Sequence, residues 1–214
     1  MFIEIPASLL QTVATESNRM PKLYYHPNWI ARKFFWQRLK VLHRFLSEYP
    51  VHRDACLDFG SGSGVFLPTL ASEFTAVTGV DIETLEASSI LDHYRLPNVT
   101  LVNADIYKTT GFGPEMFDVV MAPDVLEHFQ DLETPVARIH TWLKADGFLF
   151  TSLPTENWTT RSARVVGKYE KPWDHYHTGY EVEDYLRTHG FRQIHGARLF
   201  PLFPMYLTSV WQKT

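Results

Sequence analysis

The 214 residues carry 20 Lys and Arg against 24 Asp and Glu, for a net charge of −4, with 45% hydrophobic and 21% charged residues. That balance suits a packed globular chain, excludes wholesale disorder and lacks a basic footprint, so no nucleic-acid partner is expected. The single cysteine, Cys56, cannot form an internal disulfide and lies in an apolar run. No membrane-spanning run and no secretory signal is legible, so a cytoplasmic location is expected.

The length fits one α/β domain, for which roughly 200–250 residues is common. The chain divides into accessory helices over 1–50, a ligand-binding core over 51–153, a lid or substrate loop over 154–178, and a closing helix and strand pair over 179–214. Residues 1–25 read as a helix plus a loop ending at His26-Pro27. Asn28 then caps a helix to about Leu46, with Ile30, Phe34, Phe35, Leu39, Leu42, Phe45 and Leu46 on one face. Arg32, Lys33, Arg38, Lys40 and Arg44 are assigned to its solvated side. The helix reads as a cover with its apolar face inward. The alternative is a weak membrane-surface contact through this helix, using Trp29 and Trp36 against anionic lipid.

Strands over 55–59, 76–80, 99–102, 117–121 and 147–153 then alternate with helices over 65–74, 85–93 and 132–143. This alternation predicts an α/β fold with a doubly wound, mostly parallel sheet and extra N-terminal helices. After Pro154 a stretch rich in Thr, Arg, Lys and Trp runs to His177 and is long for a plain connection. Thr178-Gly-Tyr-Glu181 is a capping box opening a helix that stops at Gly190. Residues 191–200 and 205–212 read as two strands joined through Pro201 and Pro204. A connection this short makes them antiparallel, because a parallel pair needs a crossover of about a dozen residues.

The sharpest motif is Asp58-Phe-Gly60-Ser-Gly62-Ser-Gly64, where a strand turns toward a helix. Glycines there let the backbone approach a ligand, and the helix start favours an anionic group. Asp81 ends the next strand, where a carboxylate accepts two ribose hydroxyl protons, and Asp105 sits just past the third. A dinucleotide fingerprint would need its third glycine at position 65, where Val65 stands. Asp58 would repel a pyrophosphate but suits the cationic amino group of a bound amino acid. A nicotinamide-dependent oxidoreductase is therefore the weaker reading, and a ligand ending in a methionine moiety the stronger.

On these residues, together with Phe117-Asp-Val-Val-Met-Ala-Pro-Asp-Val-Leu-Glu-His128 and Leu143-Lys-Ala-Asp-Gly147, the chain resembles the class I S-adenosylmethionine-dependent methyltransferases. The resemblance covers roughly residues 53–200 and is specific for the cofactor, not for the acceptor. It implies a seven-stranded sheet with its last strand antiparallel, and methyl transfer from S-adenosylmethionine to a small molecule. It further implies that Asp58, Gly60, Ser61, Gly62 and Gly64 line the methionine end. Asp81 would hold the ribose, Ile82 would pack on adenine, Asp105 with Ile106 would meet the adenine amino edge, and Ala122 and Pro123 would lie beside the sulfonium. Proline at 123 departs from the bulkier or more polar residue common in relatives and removes a backbone donor after the fourth strand.

A hydroxyl or amine acceptor needs a group to take its proton. Candidates are Asp124, Glu127 and His128 after the fourth strand, and His175 and His177 in Asp174-His-Tyr-His177. His177, His128 and His175 are the expected catalytic residues. Asp-Val-Leu-Glu-His also resembles a metal-holding run of ubiquinone-pathway O-methyltransferases, although no metal is expected here. Tyr24 and Tyr25 are placed to close over the methionine end, and Trp158, Trp173, Phe200 and Phe203 would suit an apolar acceptor. A protein that keeps the cofactor site without turnover is a third possibility.

Overall fold

The computed structural model describes residues 1–14, 20–108, 111–155, 175–199 and 205–214. Its strands are β1 (Ala55–Phe59), β2 (Ala76–Asp81), β3 (Val99–Asn103), β4 (Phe117–Pro123), β5 (Leu143–Pro154), β6 (Phe191–Leu199) and β7 (Tyr206–Lys213). They form one sheet in the order β3-β2-β1-β4-β5-β7-β6. β7 alone runs antiparallel to its neighbours β5 and β6, as the short connection predicts. The strand order reverses between β1 and β4, which creates a crevice at their carboxyl ends. In open α/β sheets that crevice is the usual place for a ligand.

The helices are α1 (Ala7–Val13), α2 (Trp29–Glu48), α3 (Leu67–Ala71), α4 (Leu85–Tyr94), α5 (Glu133–Trp142) and α6 (Gly179–Thr188). Side-chain alternation along the strands divides the interior in two. Val119 and Met121 of β4 join the core under α2, α3 and α4, whereas Val120 and Ala122 join the core under α5 and α6. Asn28 caps α2 by accepting a hydrogen bond from the Ile30 N–H at 2.9 Å. Both halves of the predicted capping box open α6. Thr178 Oγ1 accepts from the Glu181 N–H, and Glu181 Oε2 accepts from the Thr178 N–H at 2.7 Å.

Four expectations need correction. Trp36 is not a surface residue: it is 1% exposed and meets Tyr24 edge-on, with ring centroids 4.7 Å apart. Arg38 is likewise buried rather than solvated, while Ile30 and Trp29 face outward. The inward stripe of α2 is thus turned toward Phe35, Trp36, Leu39, Leu42 and Phe45, because Tyr24, in the short turn Lys22–Tyr25, packs against that side. Third, β5 begins at Leu143 and not at Gly147, since Leu143 already pairs with Phe117 before a bulge. Fourth, the helix expected over 65–74 contracts to α3, with Pro68 in its first turn where a missing N–H costs nothing. The lid residues 156–174, with Trp158, Trp173 and Asp174, and residues 200–204, with Phe200, Pro201, Phe203 and Pro204, lie outside the described residues. Among the described residues no helix is long and apolar enough to cross a membrane.

Candidate active site

β1 delivers its glycine loop into the crevice. Gly60 has φ +72°, and a Cβ there would stand 2.3 Å from Val125 Cγ2; Gly64 has φ +74°, and its Cβ would meet Ala87 Cβ at 2.8 Å. Any larger residue at either position would have to displace its neighbour as well as strain the backbone. Gly62 faces open space, with nothing within 4 Å of a built Cβ. The loop is tied to the end of β2: the Gly60 and Ser61 N–H groups donate to the Val80 carbonyl at 2.9 and 3.0 Å. Asp81 completes the tie, accepting from the Gly62 N–H at 2.9 Å and from the Glu83 N–H at 3.2 Å. The carboxylate predicted from spacing alone is therefore also what shapes the glycine loop.

Asp58 lies just below that loop and is 1% exposed, and its Oδ1 has no hydrogen-bond partner. Burial, reinforced by the nearby Asp81 charge, pushes its carboxyl up to about 7. Ser61 Oγ, Ser152 Oγ and Asp124 Oδ1 are also buried without a hydrogen-bond partner. These four atoms belong to the carboxyl-terminal ends of β1, β4 and β5 and the loops that follow. Folded proteins satisfy roughly 90% or more of their buried polar groups, so four such atoms at one end of a sheet mark where a polar ligand would supply the missing bonds.

Farther along the crevice, Asp105 accepts from the Tyr107 N–H at 3.0 Å and pairs with Lys108 at 3.4 Å. The Ile106 side chain is buried in the core beside α5, so only its main chain is available to a ligand. Ile82 is exposed, as is Leu85, an apolar neighbour that the sequence pattern does not single out. Ala122 is fully buried at the end of β4. Pro123 does not interrupt the pairing with β5: it stands opposite Ser152, whose carbonyl accepts from the Asp124 N–H at 2.8 Å.

The next turn is Leu126–His128, which follows β4. The Glu127 carbonyl accepts from the Tyr176 N–H at 2.9 Å and the His177 N–H at 3.3 Å, which fastens the end of the lid segment to it. This brings the His128 and His175 rings edge to face at 4.6 Å. Ligand atoms of Glu127, His128 and His175 lie within 4.8 Å of one another. His177 is not part of that group; its Nε2 is 3.4 Å from the Gln130 carbonyl.

Arg38 is the residue that sequence reasoning missed. From α2 it donates through Nε to Asp124 Oδ2, through Nη1 to the Phe35 carbonyl, and through Nη2 to Tyr24 Oη at 2.8 Å. The signal was present: positions 35, 38, 42 and 45 lie on one helical stripe, and an arginine in an apolar stripe is an arginine destined for burial. Tyr24, singled out for its place before α2, is buried beneath it, and burial pushes its phenol up to about 12.

A family model described as "Methyltransferase domain" matches residues 57–151. The ubiquinone biosynthesis O-methyltransferase of Vibrio atlanticus is 26% identical over 113 residues, covering 52% of this chain and 48% of that protein. The chain thus spans about half the length of this curated relative. Among solved structures, the N-methyltransferase NodS of Bradyrhizobium japonicum WM9, in complex with S-adenosyl-L-homocysteine, is similar with a TM-score of 0.68 at 19% identity, over 96% of each chain. The 1,6-didemethyltoxoflavin-N1-methyltransferase of Burkholderia thailandensis gives 0.65 at 20%, over 100% of this chain and 94% of that one. Residues 57–151 thus match the methyltransferase-domain family, and the sheet built around them has the fold of these solved S-adenosylmethionine-dependent methyltransferases.

Proposed function

We propose that the protein binds S-adenosylmethionine across the carboxyl ends of β1, β2 and β3 and methylates a small molecule bound between the Leu126–His128 turn and the lid residues 154–178. The observation that carries this reading is Asp58: a buried carboxylate with an oxygen left unpartnered beneath a glycine loop. An ammonium group suits that oxygen; a pyrophosphate does not. In this arrangement Asp58 and the loop from Gly60 to Gly64 take the methionine end, Asp81 the ribose hydroxyls, and Ile82, Asp105 and the Ile106 main chain the adenine. Ala122 and Pro123 flank the sulfur. When bound, the cofactor supplies an electrophilic methyl group whose sulfur leaves as a neutral thioether.

The chain's part is alignment, exclusion of water and removal of a proton. His128 and His175 stand together, and one of them takes the acceptor's proton as the new bond to carbon forms. His177, held toward Gln130, acts at most through the lid. Changing His128 or His175 to Ala is expected to lower turnover at least about tenfold with cofactor affinity retained. Unchanged turnover in both would remove the base assignment.

A second reading of the same cluster is favoured by its geometry: two imidazoles and the Glu127 carboxylate could hold a divalent ion that polarises the acceptor. Dialysis against a chelator separates the two, because a histidine base survives it. Calorimetry with S-adenosylmethionine, S-adenosylhomocysteine and NAD tests the cofactor, and binding of NAD alone would restore the oxidoreductase reading. Release of S-adenosylhomocysteine with candidate acceptors distinguishes an enzyme from a binding protein. A location in the cytoplasm fits the composition. Contact with anionic lipid would now rest on Trp29 and Ile30, and vesicle sedimentation at low salt tests it.

A further inference from the structure

Asp124 stands one residue beyond β4 with φ +52°, a left-handed backbone conformation that an aspartate adopts only at some cost in strain. Its Oδ2 is taken by Arg38 and its N–H by the Ser152 carbonyl, so both ends of the residue are fixed. Arg38 is itself immobilised: all three of its guanidinium nitrogens donate within the protein, and its Cζ lies 3.6 Å from the Phe35 ring centroid. Yet Asp124 Oδ1 is buried and has no hydrogen-bond partner. A strained residue held from two sides while one carboxylate oxygen stays unmet is arranged for a donor that arrives from outside. The Tyr24 hydroxyl, hydrogen-bonded to Arg38, lies within electrostatic reach of both Asp124 and Asp58. The residue after Asp124, Val125, packs its side chain against Gly60, which sets Asp124 beside the glycine loop that Asp58 underlies.

We propose that Asp124 Oδ1 accepts a hydrogen bond from the ammonium group of the cofactor's methionine moiety, and that Arg38 is the positioning residue that aims it. The inference rests on the cofactor reading above. It assigns the N-terminal helix a direct part in cofactor recognition: α2 holds, through one arginine, a carboxylate 86 positions away in sequence.

The test compares two ligands that differ only where the proposal applies. S-adenosylhomocysteine carries the amino-acid end; 5′-methylthioadenosine keeps the adenosine and the thioether but has no ammonium. Asp124→Asn keeps the shape of the side chain and an oxygen for Arg38. It is expected to weaken S-adenosylhomocysteine at least about tenfold by calorimetry, the weight of one charge-assisted hydrogen bond, and to leave 5′-methylthioadenosine within about twofold. Arg38→Met is expected to show the same selective loss, partly restored in Arg38→Lys. Equal weakening of both ligands would assign the pair a purely structural role and overturn the proposal, and so would unchanged S-adenosylhomocysteine affinity in Asp124→Asn. Should the unaltered protein bind neither ligand, the cofactor reading fails and this inference goes with it. If Arg38→Met does not fold, Asp124→Asn still decides.

Discussion

Replacing Asp58 by asparagine should make the ligand-free protein more stable relative to the parent as pH rises. Asp58 is fully buried and its carboxyl is pushed up to about 7, first by burial and then by Asp81. An unfolded aspartate titrates near about 3.9. The sign follows from proton counting. Below about pH 4 both states hold the proton, whereas between pH 5 and 7 only the folded chain does. Folded stability therefore falls with rising pH across that window and levels off above 7. Integrating at about 1.36 kcal/mol per pH unit, the parent loses about 2.6 kcal/mol through this one group between pH 5 and pH 8. The substituted amide does not titrate, so its own cost is the same at both pH values and cancels. The difference in melting temperature between variant and parent should move by about 5–10 °C in the variant's favour from pH 5 to pH 8. Differential scanning calorimetry of both proteins without ligand measures it directly. Melting curves that shift in parallel over this range would refute the reasoning. The companion expectation concerns binding. An ammonium ligand selects the ionised carboxylate, so parent affinity for S-adenosylhomocysteine should rise with pH through 7, and the variant should lose that dependence.

Gly60→Ala forces a Cβ to within 2.3 Å of Val125 Cγ2 at φ +72°, and should cost about 2 kcal/mol or more in denaturant titration. Asp81→Ala leaves the Gly62 N–H without its acceptor and removes the carboxylate proposed for the ribose; stability should drop by about 1–3 kcal/mol in urea titration. In the same variant, calorimetry should find S-adenosylhomocysteine at least about tenfold weaker. Thr178→Ala breaks the capping box of α6 and should cost about 1 kcal/mol, seen as a melting temperature about 2–4 °C lower, with S-adenosylhomocysteine affinity unchanged.

β1, β2 and β4 were legible because each is a short apolar run closed by a glycine, an acidic residue or a proline. Asp58, Gly60, Gly64 and Asp81 lie within fewer than 30 residues of sequence, so local spacing was enough to propose them. What the sequence hid depends on distant partners. Nothing near Arg38 announces Asp124, and nothing in Asp-His-Tyr-His singles out His175 over His177. The hydrogen bonds that the Tyr176 and His177 N–H groups donate to the Glu127 carbonyl hold the segment where His175 meets His128. The start of β5 escapes local reading for a similar reason. Lys144-Ala-Asp-Gly147 reads as a turn, and pairing of Leu143 with Phe117 across a bulge extends the strand through it.

The position of β7 has a consequence for how the sheet comes into being. It follows β6 along the chain, yet it lies inside the sheet, bonded to β5 on one side and β6 on the other. While the ribosome is still short of residue 206, β5 and β6 have no strand between them, and each offers an open edge to whatever passes. The crevice between β1 and β4 can assemble during synthesis, but the flank that supports Ser152 closes only when β7 slides into place.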